Sequence, residues 1–241
     1  MKLVDFTVNT PEEHLALDEL LLAKAEKGEL EETLRFWESE EYFIVVGRSG
    51  KASEDCFIDR CRNDNIRILR RISGGGTVLQ GPGCLNFSLI LSYEGNAAYE
   101  KINSSYREIM GRISDAIRTS GLALDLHPIS DLAIKGKKVS GNSQARKRKY
   151  FLHHGTVLHD FNLNMISQYL KHPSKEPEYR EGRSHKDFLT NISIKRKEIE
   201  ESIKEVFCFS NEVWQPEEDD LKELKELVTN KYATETWNLA F

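Results

Sequence analysis

The sequence predicts an α+β fold in which mixed or antiparallel β-sheets are flanked by helices. Three observations support this prediction. Short segments with period-two apolar patterning, typical of strands, lie between residues 34 and 158. Longer helical patterns lie near both ends and once in the middle, and the two kinds of element do not alternate as they would in a βαβ protein. We expect a single domain over residues 1–241 without a separate accessory domain, because no repeat or Gly/Ser-rich linker interrupts the chain.

The clearest helix start is at Thr10. Thr10 can cap the helix, Pro11 suits its first turn, and Glu13 can complete a capping box. The apolar face that follows ends near Gly28, which predicts one helix over this stretch. Amphipathic spacing predicts three further helices, over residues 99–120, 195–207 and 216–231.

Strands are predicted where β-prone residues cluster between glycine-rich breaks. Residues 66–72 alternate in period two, residues 73–76 interrupt them, and Val78 and Leu79 resume the strand. A second break at residues 81–83 precedes an apolar segment from Asn86 to Tyr93. The remaining predicted strands are residues 34–37, 42–46, 132–134, a segment around Val139, and 151–158.

Composition and charge limit the classes of function. Apolar residues make up 39% and charged residues 30%, and the mean hydropathy is -0.52, as in ordinary soluble proteins. The net charge of -5 disfavours general binding to nucleic acid or anionic lipid, but residues 135–149 carry no acidic residue while residues 216–226 are mostly acidic. The sequence therefore predicts a local anion site, with neither nucleic acid nor membrane as a partner.

The predicted location is the cytoplasm. Met1 is not followed by the apolar segment of a signal peptide, and no apolar run approaches the roughly 18 residues that a membrane span requires. The four cysteines form no zinc-binding pattern, so we expect free thiols in a reducing compartment.

The first candidate site is the segment at residues 70–78, RRISGGGTV. Three successive glycines allow the backbone N–H groups to approach a ligand closely, and Arg70 and Arg71 supply planar donors for a carboxylate or phosphate. On the glycines alone, a flexible hairpin turn beside two surface arginines is the more common meaning. The spacing matches neither a phosphate-binding P-loop nor a dinucleotide fingerprint.

The second candidate is GKKVSGNS, residues 136–143. In a strand beginning at Lys138, Lys138 and Ser140 would share one face. A lysine beside glycine-rich backbone can contact a carboxylate oxygen and a phosphate oxygen together. Taken alone, the segment is more often a solvated basic hairpin tip.

The third candidate is HHGTVL, residues 153–158. Adjacent histidines in a strand point to opposite faces, so His153 and His154 are poor joint metal ligands. Gly155 suggests close packing of the backbone against another group, such as a substrate. A core or edge histidine satisfied by hydrogen bonds is an equally good interpretation.

Taken in order, RRISGGGTVLQGPGCLNFSL, SDLAIKGKKVSGNSQ and HHGTVL resemble the lipoate–protein ligase A family. This family belongs to the biotin/lipoate protein ligase catalytic-domain superfamily, which also holds octanoyltransferases. The resemblance implies a fold related to that of biotin–protein ligases, with a forked pocket for an acyl chain and AMP. It implies activation of lipoate or octanoate by ATP and Mg²⁺ as an acyl-AMP. The acyl group would then pass to a lysine of a lipoyl domain, in a 2-oxoacid dehydrogenase acyltransferase subunit or the glycine cleavage H protein.

The resemblance also assigns residues. Lys138 matches the catalytic lysine that contacts the carboxyl group, Arg70 an arginine near the acyl-phosphate junction, and Asn86 an asparagine near the nucleotide. Asp131 matches an acidic residue near the adenylate and magnesium. The other positions that match the binding site are Ser73, Gly74, Gly75, Gly76, Thr77, Val78, Ser140, Gly141, His154, Gly155 and Thr156.

Cysteine positions separate two activities within the superfamily. Transferases that take an acyl group from a carrier thioester without ATP use a cysteine nucleophile. One group keeps it where this chain has Phe151, and another keeps it in a segment matching residues 126–130, which here holds no cysteine. This favours the ATP-dependent ligase. The alternatives are a transferase acting through Cys84, whose surroundings depart from the ligase pattern, and a lipoyl-domain binder without catalysis.

Overall fold

The first long helix shows why the N-terminal region folds as the sequence predicts. In this computed structural model, which describes residues 1–128, 130–208 and 212–241, the Thr10 hydroxyl accepts from the Glu13 amide. The Glu13 carboxylate accepts from the Thr10 amide at 2.9 Å and completes the capping box. The helix ends at Gly28, whose φ of 82° is the left-handed conformation that glycine adopts without strain. The predicted helix is confirmed.

The described residues form more α-helices and strands than the sequence predicts. The α-helices are α1 (Pro11–Lys27), α2 (Ala52–Asp55), α3 (Ile58–Asn63), α4 (Ile102–Arg118), α5 (Ile166–Tyr169), α6 (His185–Phe188), α7 (Arg196–Phe207), α8 (Glu218–Leu227) and α9 (Glu235–Asn238). The strands are β1 (Lys2–Val4), β2 (Thr33–Trp37), β3 (Phe43–Val46), β4 (Arg67–Arg70), β5 (Val78–Gln80), β6 (Cys84–Ser92), β7 (Asp125–His127), β8 (Asp131–Ile134), β9 (Lys137–Arg146), β10 (Tyr150–Leu158) and β11 (Val213–Trp214).

The strands form two sheets. The large sheet has eight strands in the order β11-β1-β2-β6-β10-β9-β8-β7, and the small sheet has the order β4-β3-β5. The pairs of β1 with β2 and β11 and of β3 with β4 are parallel, whereas the other pairs are antiparallel. The mixed sheets with helices on their faces confirm the predicted α+β fold.

Alternation along the central strands gives the large sheet two different faces. On one face, Leu89 of β6 and Phe151 of β10 pack against α4 and α7. On the other face, Ile90 and Leu152 pack with α1 and α8. The middle of this second face is polar, because the paired residues Arg35, Ser88, His154 and Ser143 lie in one row across four strands.

Several predicted boundaries were wrong by a few residues. The strand predicted over residues 66–72 ends at Arg70, because Arg71 leaves the ladder to enter the glycine-rich segment. The short strand expected around Val139 is ten residues long, and the last predicted helix becomes a π-helical turn after Leu227. The elements that were missed, including β1, β11 and α3, have two to six residues and are too short to show a period.

The basic segment at residues 135–149 does not form one continuous patch. It comprises β9 and the two turns that flank it, one at Gly136 and the other at residues 147–149. A ten-residue strand is about 33 Å long, so the two basic turns lie far apart. No helix within the described residues has the length and apolar character that crossing a membrane demands.

Candidate active site

The glycine loop, residues 73–76, connects β4 to β5, and its carbonyl groups are held by neighbouring side chains. Arg71 Nη2 donates to the carbonyls of Gly74 at 2.6 Å and Gly76 at 2.8 Å. Ser143 Oγ of β9 also donates to the Gly74 carbonyl, at 2.8 Å. The Gly75 carbonyl packs against Gly47, where a Cβ atom would lie only 2.1 Å from the oxygen. The orientation of the loop is therefore determined by contacts to its carbonyl side.

The amide groups of the same loop are left available. Among the residues that the structure describes, none accepts a hydrogen bond from the N–H groups of Gly74, Gly75 or Gly76. Gly75 has φ +86°, a conformation that a residue with a side chain would adopt only with strain. Successive free backbone N–H groups form a suitable cradle for a carboxylate or phosphate.

Arg71 adds a buried positive charge behind this loop. Burial lowers the pKa of its guanidinium to about 10, so the group stays protonated at neutral pH. Its other donors reach the Ser73 hydroxyl at 3.0 Å and the Val45 carbonyl at 3.2 Å. Protein oxygens thus accept hydrogen bonds from the guanidinium, and Arg71 supports the glycine loop from its carbonyl side.

The second part of the site is the corner where β8 meets β9. Lys138 Nζ lies 2.8 Å from Asp131 Oδ1, and the Tyr179 hydroxyl donates to Asp131 Oδ2 at 2.8 Å. The Lys138 side chain is 25% exposed and that of Asp131 only 8%. A Cβ atom at Gly141 would lie 2.8 Å from Lys138 Nζ, so the absence of a side chain there makes room for the ammonium group.

A register shift in β9 changes which residues share a face. Ala133 pairs with Lys138 and Leu132 pairs with Ser140, which leaves Val139 as an extra residue. The Lys138 ammonium group therefore lies over Gly141, while Ser140 accepts a hydrogen bond from Asn142 on the opposite face. The expectation that Lys138 and Ser140 share one face was wrong because it assumed strict alternation.

The two parts of the site meet on β9. Ser143 contacts the glycine loop, and Gly141, two residues earlier on the same face, lies beneath the Lys138 ammonium group. The loop that carries free N–H groups and the lysine that carries a mobile charge therefore share one surface of the large sheet.

The two adjacent histidines point to opposite faces, as predicted. His153 lies in the core, where burial lowers the pKa of its imidazole to about 3, and it contacts the Gln144 amide at 3.1 Å. His154 lies on the site face, with Nε2 2.6 Å from Ser73 Oγ. Only the second histidine reaches the glycine loop.

The other predicted site residues differ in their surroundings. Asn86 and Gln80 exchange two amide hydrogen bonds, at 2.9 and 3.0 Å, which fix both side chains. A Cβ atom at Gly155 would overlap the side chains of Asn142 and Phe87, so packing within the protein accounts for this glycine. Thr77 donates to Asp55, Thr156 lies on the site face two residues after His154, and Val78 begins β5.

Arg70 lies apart from this group. Its fully buried guanidinium donates to six backbone carbonyls, those of Gly47, Arg48, Gly50, Trp237, Asn238 and Ala240. These contacts join the turn after β3 to the segment that contains α9. A contact of Arg70 with the acyl-phosphate junction stays a prediction.

The donors near Asp131 do not fit a magnesium ion held by the protein. Both carboxylate oxygens are already engaged, one by Lys138 and one by Tyr179. Among the described residues, no group of three or more His, Cys, Asp or Glu side chains is arranged to hold a metal.

None of the four cysteines is exposed, and the Cys84 thiol hydrogen-bonds to Thr156 on the site face. Cys56, Cys61 and Cys84 are buried, and Cys208 is partly buried on the side of α7. Burial raises the pKa of all four thiols, and for Cys84 the nearby Glu38 carboxylate raises it further. These surroundings disfavour the thiolate that a nucleophilic cysteine must form.

Three polar residues that support the site were missed in the sequence. Asp18 and Arg35 form a buried ion pair of 2.7 Å beneath His154, and Ser143 holds the loop. Asp18 does carry a signal, because it is an acidic residue within the apolar segment LALDELLL. A charge on the buried face of a helix predicts a buried partner, but does not identify it.

Comparisons with known proteins identify the family of this chain. The model of the lipoyl protein ligase A/B catalytic domain matches residues 10–208. A Mycoplasma pneumoniae protein described as a probable lipoate-protein ligase A is 31% identical over 192 residues, which cover 77% of this chain and 55% of that protein. Octanoyltransferase LipM of Clostridioides difficile is 29% identical over 187 residues, covering 70% of this chain and 68% of the relative. The match thus spans about half of the first relative's length and two thirds of the second's.

Solved structures show the same fold. The bipartite lipoate protein ligase of Thermoplasma acidophilum, studied with its E2 lipoyl domain, superposes with a TM-score of 0.83 at 24% identity, covering 99% of this chain and 95% of that chain. A lipoate-protein ligase A bound with ATP gives a TM-score of 0.83 at 24% identity, covering 99% and 98%. Together with the family model, these findings show that the chain belongs to the lipoyl protein ligase A/B catalytic domain family, whose relatives carry the names of lipoate–protein ligases and octanoyltransferases.

Proposed function

We propose that this protein is an ATP-dependent lipoate–protein ligase. It would activate lipoate or octanoate as an acyl-AMP and transfer the acyl group to a lysine of a lipoyl domain. Direct attack of an amine on a carboxylate is slow because oxide is a very poor leaving group. Adenylation replaces oxide with AMP, and the enzyme must then bring two anions together and stabilise the charge that develops between them.

The burial of the cysteines is the observation that favours a ligase over a transferase. A transferase that accepts a thioester requires an accessible thiolate, whereas Cys84 is 1% exposed and burial raises the pKa of its thiol. The other cysteines are also buried or half-buried, and none replaces Phe151, which is fully buried in the core. An activated acid made with ATP needs no such nucleophile.

The residues of the site suit the two anionic substrates. The free N–H groups of the glycine loop would bind a carboxylate or phosphate oxygen, with the charge of Arg71 behind them. Lys138 would exchange Asp131 for an oxygen of the acid or the α-phosphate, because its single ion pair is partly exposed to solvent. Positioning of both reactants then supplies much of the rate.

The substrates and partners follow from the same proposal. Lipoate or octanoate and ATP would be the small molecules, with magnesium arriving on the nucleotide phosphates. The acceptors would be lipoyl domains of 2-oxoacid dehydrogenase acyltransferase subunits or the glycine cleavage H protein. The Thermoplasma acidophilum ligase with a similar fold was studied with an E2 lipoyl domain, which supports this class of acceptor. Four unpaired cysteines favour a reducing compartment such as the cytoplasm.

The test is intact mass spectrometry of a lipoyl domain incubated with the protein. One sample receives lipoate, ATP and Mg²⁺, and the other receives an octanoyl thioester of an acyl carrier without ATP. We expect a lipoyl mass increase in the first sample only. Acyl-AMP is measured separately, so that activation without transfer is also detected and shows whether this single catalytic domain performs both steps.

A transferase remains the second candidate, because LipM proteins are among the relatives. It predicts acylation from the thioester without ATP, and loss of that activity in Cys84→Ser. We expect the ATP-dependent activity of Cys84→Ser to stay within about twofold of wild type, since serine replaces a buried thiol with a group of similar size. Acylation from the thioester alone would reject the ligase proposal.

A further inference from the structure

A chain of hydrogen bonds connects helix α1 to the glycine loop. Arg71 Nε and Ser73 Oγ lie 3.0 Å apart, Ser73 Oγ and His154 Nε2 lie 2.6 Å apart, and His154 Nδ1 and Asp18 Oδ2 lie 3.4 Å apart. Arg35 and Ser88 hold the two oxygens of Asp18 at 2.7 Å each. This series of hydrogen bonds therefore leads from the buried ion pair of Asp18 and Arg35 to the glycine loop, which carries the free N–H groups.

The donor and the acceptor in each of these hydrogen bonds follow from the residues at the two ends of the series, Asp18 and Arg71. Burial raises the pKa of the Asp18 carboxyl, but hydrogen bonding to His154 and the charge of Arg35 outweigh this effect and leave the pKa below its ordinary value. Asp18 is therefore a carboxylate that only accepts, and Arg71 at the other end only donates. In a neutral imidazole between them, Nδ1–H donates to Asp18 and Nε2 accepts from the Ser73 hydroxyl. Ser73 in turn accepts from Arg71.

The order Ser, His, Asp resembles that of a nucleophilic triad, but the surroundings of the serine differ. Ser73 is 1% exposed, and its oxygen accepts a hydrogen bond from Arg71. A buried hydroxyl in this position cannot reach an acyl group, but it can hold the loop. The Arg71 guanidinium that contacts Ser73 also binds the Gly74 and Gly76 carbonyls, so the orientation of Ser73 and that of the loop are coupled.

We propose that Asp18 is a positioning residue for the glycine loop. Its carboxylate selects the Nδ1–H tautomer of His154, and His154 then fixes the Ser73 hydroxyl and, through Arg71, the orientation of the glycine loop. Asp18 touches no substrate in this scheme. The inference rests on the proposed function only for its activity measurement, because the tautomer is an independent observable.

Asp18→Asn tests this directly. The asparagine can still accept from Arg35, but its amide N–H would face His154 Nδ1 and shift the ring proton to Nε2. The Nε2–H would then donate to Ser73, which reverses the two hydrogen bonds of His154 while Arg71 still donates to Ser73. In ¹⁵N NMR spectra, with signals assigned from a His154→Asn sample, we expect the protonated ring nitrogen to change from Nδ1 to Nε2. We expect kcat for acyl-AMP formation to fall by about 10-fold to 100-fold, as for other residues that orient a functional histidine.

Ser88→Ala is the matched control, because it removes another hydrogen bond from the same Asp18 oxygen without changing its charge. We expect it to lower the melting temperature while keeping the Nδ1–H tautomer and a kcat within about threefold of wild type. Equal losses of kcat in both variants at equal loss of stability would show that Asp18 acts only through stability and would overturn the proposal.

The wild-type protein provides a test that does not depend on the folding of any variant. An Nε2–H tautomer of His154 in the wild type would overturn the inference whether or not Asp18→Asn folds. If the wild type forms no acyl-AMP but accepts an octanoyl thioester, the proposed ligase function fails. The tautomer measurement and the transfer rate of Asp18→Asn then still decide the role of Asp18.

Discussion

The two parts of the active site differ in how they are held. The glycine loop is fixed by Arg71, Ser143 and Gly47 through its carbonyl side, and the network behind it is buried. The corner at Lys138 depends on one partly exposed ion pair with Asp131. In the proposed ligase, the fixed dipoles of the loop would bind the anion, and the charge of Lys138 would follow it through the reaction. Substitutions in the loop should therefore affect stability and activity together, whereas substitutions at the corner should affect activity alone.

The largest expected effect is that of Lys138→Ala. We expect the rate of acyl-AMP formation to fall by about 10²-fold to 10³-fold, the usual effect of removing one group that stabilises developing charge. Stability should change by less than about 0.5 kcal/mol, because the side chain is partly exposed. Lys137→Ala is the matched control, since Lys137 is adjacent and exposed. An equal loss of rate in Lys137→Ala, or a large fall in the stability of Lys138→Ala, would contradict the proposed difference between the two parts of the site.

The next effect is that of Arg71→Ala on stability. The substitution leaves the carbonyls of Gly74 and Gly76 without this donor, and we expect a loss of about 3 kcal/mol in the free energy of unfolding. Urea unfolding measures this loss, and the rate of acyl-AMP formation should fall in the same protein. If Arg71→Ala loses activity at unchanged stability, Arg71 does not hold the loop through its carbonyls.

Gly47→Ala tests the packing of the loop without changing any charge. A Cβ atom would lie 2.1 Å from the Gly75 carbonyl oxygen, which belongs to the backbone and must move. We expect a loss of about 2 kcal/mol together with reduced activity. Gly111→Ala in α4 is the control, because no atom lies within 4 Å of its Cβ position and alanine favours helix. If Gly47→Ala is as stable and as active as Gly111→Ala, packing against Gly47 does not hold the loop.

The smallest effect for a single residue, about 1.4 kcal/mol between pH 7.5 and 5.5, is the contribution of one buried histidine to the response of stability to pH. Burial lowers the pKa of His14 and His153 to about 3, with the charge of Arg35 adding to the effect at His14. The unfolded chain, with ordinary histidine pKa values, binds protons first, so stability falls as the pH drops from about 6.5 towards about 3. Each histidine contributes at most about 1.4 kcal/mol per pH unit.

Urea unfolding at pH 7.5 and 5.5 measures this dependence. We expect His153→Gln to reduce the slope and Lys138→Ala to leave it unchanged, since the corner at Lys138 contributes no buried histidine. An unchanged slope in His153→Gln would contradict the assignment of a neutral, buried imidazole to this position.

The sequence predicted the parts of the fold that have a long repeating signal. The capping residues at Thr10 and Glu13 and the alternation in β6 and β10 are local properties, so α1 and the centre of the large sheet were predicted. The bulge in β9 was not, because it depends on how β8 pairs with it. Strands as short as β11 acquire their structure from neighbours and show no pattern of their own.

The candidate site was predicted only in part for the same reason. Glycines in series and a lysine between glycines are visible in a linear sequence, so the loop and Lys138 were found. The partners of the loop come from distant positions, such as Ser143 and Asp18, and only the folded chain brings them together. Adjacent arginines look alike in the sequence, whereas Arg70 binds the segment around α9 and Arg71 binds the loop.

The position of Trp237 gives the protein a built-in optical reporter. Its indole N–H donates at 2.9 Å to the carbonyl of Arg70, the peptide group that immediately precedes Arg71, and Lys231 Nζ lies 4.0 Å from the centre of its ring. Indole emission depends on such nearby dipoles and charges, so a ligand that displaces this strand end would alter the fluorescence. Trp37→Phe and Trp214→Phe would leave Trp237 as the sole emitter, and nucleotide titrations could then be followed without a label.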